Sequence, residues 1–203
     1  MPGSQGDSQV RADESGPAGD QQPVQGGRSY QLESARLEFL PAPDRLDPPL
    51  GEIHLWRLAP SPPALRLVLA VYLGEAPERI RLERGEHGKP RLAGDRPRLE
   101  FNLSHSGELA LVAVSGEHAV GVDVERVRPR RGAAFYRRWA RHEAEVKCRG
   151  IGLLRARRAV PDESVVTASV DLGPDYAAAV AARAGELPPL RGWTFDSPRP
   201  KAG

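Results

Sequence analysis

The sequence predicts an α+β fold, because its segments follow two different hydrophobic periods. Residues 52–58 alternate apolar and polar side chains, which is typical of a half-buried strand. Residues 64–73 and 133–149 instead place their apolar side chains at helical spacing. A glycine follows each of these two segments, Gly74 and Gly150, and glycine is common immediately after a helix. The pattern therefore indicates mixed strands and two helices.

Other segments have the composition of strands. They are residues 80–83, 99–103, 110–115, 118–125, 164–172 and 176–182. Gly116 and Glu117 are expected to join two of these strands as a hairpin. The last segment is rich in alanine, so propensity alone would also allow a helix there.

The two ends of the chain are predicted to be unstructured. Residues 1–34 contain almost no large apolar side chains and cannot offset the entropy of ordering, and residues 191–203 are expected to fray. The start lacks the apolar core of a signal peptide, and no stretch has the apolar length of a membrane span. Cys148 is the single cysteine, which fits a reducing compartment. We therefore expect a cytoplasmic protein without a membrane anchor.

Positive charge is concentrated after the middle of the chain. The formal net charge is only +2, but residues 126–158 contain twelve Lys or Arg against two acids, Glu143 and Glu145. Such a segment attracts polyanions, which could be nucleic acid, a phosphorylated cofactor or an acidic protein. Few aromatic side chains that could stack on bases lie within the segment, which disfavours nucleic acid.

Two carboxylates interrupt an apolar strand in the segment Gly121-Val122-Asp123-Val124-Glu125. Because strand side chains alternate between faces, Asp123 and Glu125 emerge on one side, about 7 Å apart along the backbone. Neighbouring carboxylates repel each other unless a cation lies between them, and Mg²⁺ prefers a few carboxylates together with phosphates and water. The pair is therefore a candidate Mg²⁺ site, although the same pattern alone is more often a solvated face.

Three further segments hold candidate anion-binding residues. The glycine-containing loop 84–90 carries Arg84 and Lys89, and residues 104–106 form a Ser-His-Ser sequence for which we predict a tight turn with His105 at its tip. On the second helix, Glu143 and Lys147 are four residues apart. An ordinary surface loop, a surface histidine and an exposed helix ion pair remain the alternatives for these three features. No nucleophile-elbow pattern is present, so a serine hydrolase is excluded.

The ordered motifs together resemble those of the Sfp-type 4'-phosphopantetheinyl transferases. The motifs are G-K-P at residues 88–90, F-N-L-S-H-S-G at 101–107, G-V-D-V-E at 121–125 and W-A-R-H-E-A-E-V-K-C-R-G-I-G-L at 139–153. The likeness covers roughly residues 50–185, and smaller matches lie near Tyr72 and from Leu172 onward.

The resemblance implies a specific reaction and architecture. Members of the family transfer the phosphopantetheine arm of coenzyme A to a serine of an acyl or peptidyl carrier protein, with Mg²⁺ and release of adenosine 3',5'-bisphosphate. The implied fold consists of two similar strand-and-helix halves, residues 35–116 and 117–190, in a pseudo-dimeric arrangement with the cofactor between them. A monomer acting in lysine biosynthesis or secondary metabolism would fit this family.

The resemblance also implies roles for individual residues. The implied Mg²⁺ ligands are Asp123, Glu125 and Glu143, and the implied catalytic residues are Asp123, Glu143 as the base and Lys147 on the phosphate. The implied ligands of coenzyme A are Arg84, Lys89, Ser104, His105 and Lys147. The chemistry agrees, because attack on a diphosphate depends mainly on positioning and on electrostatic stabilisation by a metal and lysine.

The chain also departs from the family pattern. Two internal segments are missing, one between residues 58 and 64 and one between residues 125 and 139, and His142 replaces a lysine. The chain is therefore a compact active transferase, or a degenerate inactive relative, or a basic anion- or nucleic-acid-binding module that retains the fold. Mutation of Asp123 would separate these alternatives, because binding of nucleic acid would not depend on that side chain.

Overall fold

A computed structural model describes residues 34–85, 88–96, 98–151 and 162–195. Residues 1–33 of the predicted N-terminal tail, the end of the predicted C-terminal tail from residue 196, and the last two residues of the fourth motif lie outside these ranges. Within the described ranges, no helix combines the length and the apolarity needed to cross a bilayer.

The predicted α+β class is confirmed. The two helices are α1 (Ala64–Leu73) and α2 (Gly132–Arg149), and a short 3₁₀ helix covers Pro77–Arg79. The described strands are β1 (Ala35–Arg36), β2 (Phe39–Pro41), β3 (Ile53–Leu58), β4 (Leu82–Arg84), β5 (Pro90–Leu92), β6 (Glu100–Ser106), β7 (Leu109–Ser115), β8 (Val120–Arg126), β9 (Val165–Asp171), β10 (Tyr176–Arg183) and β11 (Leu190–Thr194). Both helices end at the predicted glycines, which have left-handed φ angles of 63° at Gly74 and 67° at Gly150.

Most strands form two sheets that pack face to face. Sheet A has the strand order β1-β9-β10-β8, sheet B has the order β2-β11-β3-β7-β6, and β4 and β5 form a separate pair. Buried side chains of both sheets, such as Leu55 and Leu111 of sheet B and Val122 and Val180 of sheet A, form one apolar cluster. Helix α1 packs on the other face of sheet B, and α2 packs on the other face of sheet A. The order of layers is thus helix, sheet, sheet, helix.

The hairpin predicted at Gly116 and Glu117 is wrong. Strands β7 and β8 are consecutive along the chain, but β7 belongs to sheet B and β8 to sheet A. Their apolar side chains face each other across the interface between the sheets, so burial of these side chains determines the arrangement rather than backbone pairing. The turn is instead held by the Ser115 hydroxyl, which accepts hydrogen bonds from the backbone N–H groups of Glu117 and His118.

The end of the chain is more ordered than predicted. Strand β11 covers most of residues 190–195 and pairs in parallel with both β2 and β3, so the tail predicted from residue 191 does not hold for residues 191–194. The reason is burial of Trp193, which is 8% exposed within the cluster beneath α1. The strand alternative is confirmed for β10, whose alanines leave room for α2 on one face of sheet A.

A chain of buried hydrogen bonds fixes one side of sheet B. Trp56 Nε1–H donates to the Tyr72 hydroxyl at 2.7 Å, and His54 Nδ1 lies 2.8 Å from the same oxygen. His54 Nε2 lies 2.8 Å from Glu52 Oε1. Each of these four side chains has a matching partner when the Tyr72 hydroxyl donates to His54 Nδ1 and the neutral imidazole of His54 donates through Nε2–H to Glu52. Burial lowers the pKa of His54, although the Glu52 carboxylate opposes the shift.

We expect the chain to lose stability as the pH falls through the unfolded histidine pKa of 6.5. The folded pKa lies below the unfolded pKa, so the unfolded chain binds the proton more readily, and acid favours unfolding. Between pH 7.5 and 5 this one group can lower the free energy of unfolding by at most about 2 kcal/mol. Urea unfolding at the two pH values measures the effect.

Two variants identify the titrating group. His54→Gln is neutral at both pH values and should reduce the difference, whereas His118→Gln removes a partly exposed histidine and should retain it. An equal pH dependence in the His54→Gln variant would show that other groups cause the loss of stability.

Candidate functional site

The predicted carboxylate strand lies at the outer edge of sheet A and faces α2. Strand β8 pairs with β10 on one side, and Asp123 lies opposite Ala179 in that ladder. The Asp123 side chain is 3% exposed, whereas Glu125, near the end of the strand, is half-buried. The solvated face that was the alternative interpretation is therefore wrong for Asp123.

Helix α2 brings a lysine to the buried aspartate. Lys147 Nζ lies 2.6 Å from Asp123 Oδ1 and 3.0 Å from Ser104 Oγ. It also donates to the Val122 carbonyl at 3.3 Å. The exposed Glu143–Lys147 ion pair that the helix spacing allowed is replaced by a pair between the helix and the strand. A lysine placed in this way can neutralise an anion that approaches the same point.

Glu143 is the second buried carboxylate of the site. Its side chain is 6% exposed and lies one turn of α2 before Lys147. Burial raises the pKa of Glu143, and the charge of Asp123 raises it further, while Lys147 acts in the opposite direction. Glu143 thus lies near enough to Asp123 for the two charges to interact. The higher pKa makes it a better proton acceptor than an ordinary glutamate.

Helix α2 can approach β8 so closely because the strand carries Gly121. A Cβ built on Gly121 would lie 2.1 Å from the carbonyl oxygen of Ala144 and 2.4 Å from the amide nitrogen of Cys148. The absence of a side chain therefore sets the distance between strand and helix. Gly121 belongs to the site although it contributes no functional group.

The donor atoms fit a divalent ion such as Mg²⁺. Among the described residues, Asp123 Oδ2 and Glu143 Oε1 are buried side-chain oxygens without a hydrogen-bond partner. Such oxygens are costly to bury unless they bind a cation or a donor, and carboxylate oxygens are the ligands that Mg²⁺ prefers. Within the ranges that the structure describes, however, no three His, Cys, Asp or Glu side chains are close enough together to form a complete metal cluster. Glu125 is instead 3.4 Å from the Ser106 hydroxyl.

The tight turn predicted at residues 104–106 is wrong. Strand β6 continues through Ser106, and the turn to β7 lies at Gly107 and Glu108. Because strand side chains alternate, Ser104 is buried and donates its hydroxyl hydrogen to Asp123 Oδ1 at 2.8 Å, whereas His105 is exposed on the other face. The structure therefore places Ser104 with the carboxylates and does not bring His105 to the same point.

Of the other predicted ligands of the nucleotide, Lys89 lies beside Lys147. Lys89 donates to the Val120 carbonyl at 3.2 Å, so it lies along the same edge of β8 as Lys147. A cleft of about 300 Å³ passes Lys89, Arg91 and Phe101 and reaches Gly150 at the end of α2. Arg84 is exposed on β4. A larger cleft of about 630 Å³, lined by Arg66 and Arg81, contains none of the predicted site residues.

The first turns of α2 present an aromatic surface next to Glu125. Phe135 and Trp139 stack with their ring centroids 6.3 Å apart, and the Arg131 guanidinium lies 4.7 Å from the Phe135 ring centroid. The Trp139 side chain is 39% exposed. Of the aromatic side chains at this end of the helix, Phe135 is half-buried and Trp139 faces solvent.

Asn102 of β6 had no predicted role, and Ser106 was predicted only as part of the anion-binding turn. Both residues lie on the same face of β6 as Ser104. Asn102 accepts a hydrogen bond from a backbone N–H of β8, and Ser106 accepts one from another N–H of β8 and donates to Glu125. The signal that could have revealed them is their spacing, because every second residue from 102 to 106 carries a short polar side chain. In a strand this spacing places three hydrogen-bonding groups on one face.

A mixed α+β protein with a buried aspartate in contact with a lysine, and a second buried carboxylate nearby, is consistent with phosphoryl-transfer chemistry, and comparisons with known proteins agree. The family model described as 4'-phosphopantetheinyl transferase, N-terminal, matches residues 64–117. The 4'-phosphopantetheinyl transferase AcpT of Escherichia coli (strain K12) is 33% identical over 143 residues, with 50% of this chain and 71% of that protein covered. The chain belongs to the 4'-phosphopantetheinyl transferase family.

Other relatives match shorter parts of their own length. AcpT of Salmonella typhimurium is 36% identical over 111 residues, which is 42% of this chain and 56% of that protein. The L-aminoadipate-semialdehyde dehydrogenase-phosphopantetheinyl transferase of Mus musculus is 30% identical over 125 residues, which is 44% of this chain and 40% of that protein. The Escherichia coli alignment has 143 positions but covers only 50% of the 203-residue chain. Some of its positions are therefore residues of that relative without a counterpart here. This relation is the one expected if internal segments are missing.

Proposed function

We propose that the chain transfers the 4'-phosphopantetheine group of coenzyme A to a serine of an acyl or peptidyl carrier protein in a Mg²⁺-dependent reaction. One observation carries the proposal: Lys147 of α2 contacts the buried Asp123 of β8, and the buried Glu143 of the same helix is near enough for the charge of Asp123 to raise its pKa. Membership of the family supports the reaction class. The buried pair of Asp123 and Lys147 beside Glu143 supports the active alternative over a degenerate relative.

The proposed Mg²⁺ ligands are Asp123, Glu143 and Glu125. The first two offer buried oxygens without a hydrogen-bond partner, and the third follows on the same face of β8. When bound, the ion would neutralise charge on the diphosphate oxygens of coenzyme A, whose phosphates with water would complete its ligand shell. The carboxylate ligands thus support the proposed Mg²⁺ dependence.

The residues of the chain have separable roles in the proposed transfer. Glu143 accepts the proton of the incoming serine hydroxyl, directly or through a water molecule, and its raised pKa favours this role. The serine oxygen then forms a bond to the phosphorus that carries the pantetheine arm, and the bond from that phosphorus to the bridging oxygen breaks. Lys147 stabilises the charge that develops on the diphosphate, and adenosine 3',5'-bisphosphate leaves.

We infer that the nucleotide of coenzyme A binds along the cleft beside Lys89. The lysine is close to the carboxylate strand, and the cleft extends to the end of α2. Arg84 and His105 are exposed side chains and are proposed to contact the 3'-phosphate of coenzyme A. Ser104 is instead proposed to hold Asp123 and Lys147 in position, because it is hydrogen-bonded to both. The two similar halves proposed for the family are supported by the layers, since each sheet carries one helix on its outer face.

The carrier protein is proposed to approach over the start of α2. This surface combines exposed arginines, including Arg137 and Arg138, with the exposed ring of Trp139 next to Glu125. Carrier proteins with an acidic surface would be attracted to such a field. We also propose that the chain acts as a monomer in the cytoplasm. Which carrier it modifies, and in which pathway, is to be found with a panel of carriers.

Asp123→Asn should reduce transfer by at least about 100-fold. The substitution keeps the shape of the side chain but removes the negative charge of a proposed Mg²⁺ ligand next to the reacting diphosphate. The full chain is incubated with coenzyme A, Mg²⁺ and a panel of carrier proteins without their arm, and intact mass measures the gain of phosphopantetheine. Asp171→Asn is the control, since Asp171 is exposed at the end of β9 in the same sheet.

The result separates the candidate functions. A mass gain that requires Mg²⁺ and Asp123 supports the transferase. Loading of the carrier by the Asp123→Asn variant at the rate of the unsubstituted chain would contradict the site. If no carrier is modified and a titration with coenzyme A and Mg²⁺ shows no binding, the active alternative is rejected. Steeply salt-dependent binding in a titration with nucleic acid then supports the nucleic-acid-binding module, and its absence supports a degenerate relative.

A further inference from the structure

The outer edge of β8 has no neighbouring strand in its own sheet. Strand β8 is the last strand of sheet A, and β6 is the last strand of sheet B, so the two edges meet where the sheets adjoin. A strand edge presents backbone N–H and C=O groups that must find partners when they are buried. The residues around this edge are buried from Val120 to Val124.

Side chains of β6 take the place of a neighbouring backbone. The N–H of Val122 donates to Asn102 Oδ1 at 3.0 Å, and the N–H of Val124 donates to Ser104 Oγ at 3.3 Å. The N–H of Arg126 donates to Ser106 Oγ at 3.0 Å. The spacing of two residues on both strands gives one side chain to each outward-facing N–H group.

Lysines cover the carbonyl groups of the same edge. Lys89 donates to the Val120 carbonyl, and Lys147 donates to the Val122 carbonyl. Five side chains therefore form hydrogen bonds with the edge of β8, and Asn102 is the one of these five that had no predicted role.

Two of the β6 hydroxyls contact the carboxylates as well as the backbone. Ser104 donates to Asp123 Oδ1 at 2.8 Å and also accepts from the N–H of Val124, the residue that follows Asp123. Ser106 donates to Glu125 Oε2 at 3.4 Å while it accepts from the N–H of Arg126. Each hydroxyl thus links the position of the strand to the orientation of one carboxylate.

We infer that Asn102, Ser104 and Ser106 form a side-chain ladder that sets the register of β8 against β6 and orients the carboxylates of Asp123 and Glu125 toward a divalent ion. They are positioning residues, because each acts through a backbone group or a carboxylate. This inference deepens the proposed function and rests on it for the identity of the ion. The ladder itself depends only on the hydrogen bonds between the two strands.

Ser106→Ala is the sharpest test, because Ser106 lies at the half-buried end of the ladder and its loss leaves the core intact. Binding of Mn²⁺, as a probe for Mg²⁺, is measured by calorimetry on the full chain, and amide hydrogen exchange is measured at Arg126 without metal. We expect the dissociation constant of Mn²⁺ to rise about tenfold, which is the usual effect of removing a hydrogen-bond partner that orients a metal ligand. The Arg126 amide should exchange at least about ten times faster.

Two further variants make the result specific. Ser106→Thr keeps the hydroxyl and should restore both Mn²⁺ affinity and amide protection. Ser115→Ala removes a hydroxyl that also accepts backbone N–H groups, but in a turn without contact to the carboxylates, so Mn²⁺ affinity should not change. A loss of affinity common to the Ser106 and Ser115 variants would indicate general destabilisation and would overturn the inference.

The remaining outcomes separate the ladder from the proposed function. Unchanged protection of the Arg126 amide in Ser106→Ala would overturn the ladder. Lost protection with unchanged Mn²⁺ affinity would overturn the positioning of the carboxylates. If the unsubstituted chain binds no Mn²⁺, the proposed metal site and the positioning of carboxylates toward an ion both fail, whereas faster exchange in the variant would still support the register role.

Discussion

Gly121→Ala is expected to destabilise the chain by about 3 kcal/mol or more, because the new methyl group meets the backbone of α2 rather than a flexible side chain. The helix carries Glu143 and Lys147, so any movement that relieves the clash also moves these two residues away from Asp123. We therefore expect the variant to lose both stability and transfer activity. Urea unfolding and the carrier-loading assay measure the two effects.

Gly185→Ala provides the matched control for this substitution. A Cβ at Gly185 would have no heavy atom within 4 Å, so the free energy of unfolding should change by no more than about 0.5 kcal/mol. If Gly121→Ala unfolds at the same urea concentration as Gly185→Ala, then strand β8 and helix α2 are not in the close contact described above.

Glu143→Gln should separate stability from function. The glutamine keeps the size of the side chain but removes a buried negative charge that lies near Asp123, so stability measured in EDTA should be unchanged or higher. Transfer to the carrier should fall by at least about 100-fold, because the base and the negative charge of one metal ligand are lost together. Urea unfolding and intact mass on one preparation give both results.

Glu145→Gln is the control on the same helix. Glu145 is half-buried and forms an ion pair with Arg149 at 3.3 Å, outside the site. Its substitution should cost no more than about 0.5 kcal/mol and leave transfer unchanged. Transfer by Glu143→Gln at the rate of Glu145→Gln would remove Glu143 from the proposed mechanism. A large loss of stability in Glu143→Gln would show that the carboxylate is structural.

The sequence predicted local elements well where one period dominated. Helix α1 begins and ends at the predicted residues, and α2 differs by one residue at its start, because amphipathic spacing and the following glycine are both local signals. The α+β class follows from these elements. The alanine-rich segment that became β10 could not be decided locally, because its conformation depends on packing against α2.

Predictions that depended on pairing or orientation were less successful. The hairpin at Gly116 failed because two consecutive apolar strands can pair with each other or pack across two sheets, and local sequence does not distinguish these arrangements. The turn at Ser104 failed because small polar residues suit a turn as well as a polar edge of a strand. Helical spacing alone also did not decide the exposure of Trp139, which lies beside Glu125 and faces solvent.

By itself, the sequence determined which residues carry the candidate chemistry: the paired carboxylates of β8, a third carboxylate and a lysine one helical turn apart, and the family to which their order belongs. Only the tertiary structure decided how they meet. Gly121 lets the helix approach the strand, Lys147 pairs with Asp123 rather than with Glu143, and the side chains of β6 satisfy the edge of β8. The physical reason is that contacts between distant segments depend on packing distances and on unsatisfied backbone groups, and neither is encoded in local periodicity.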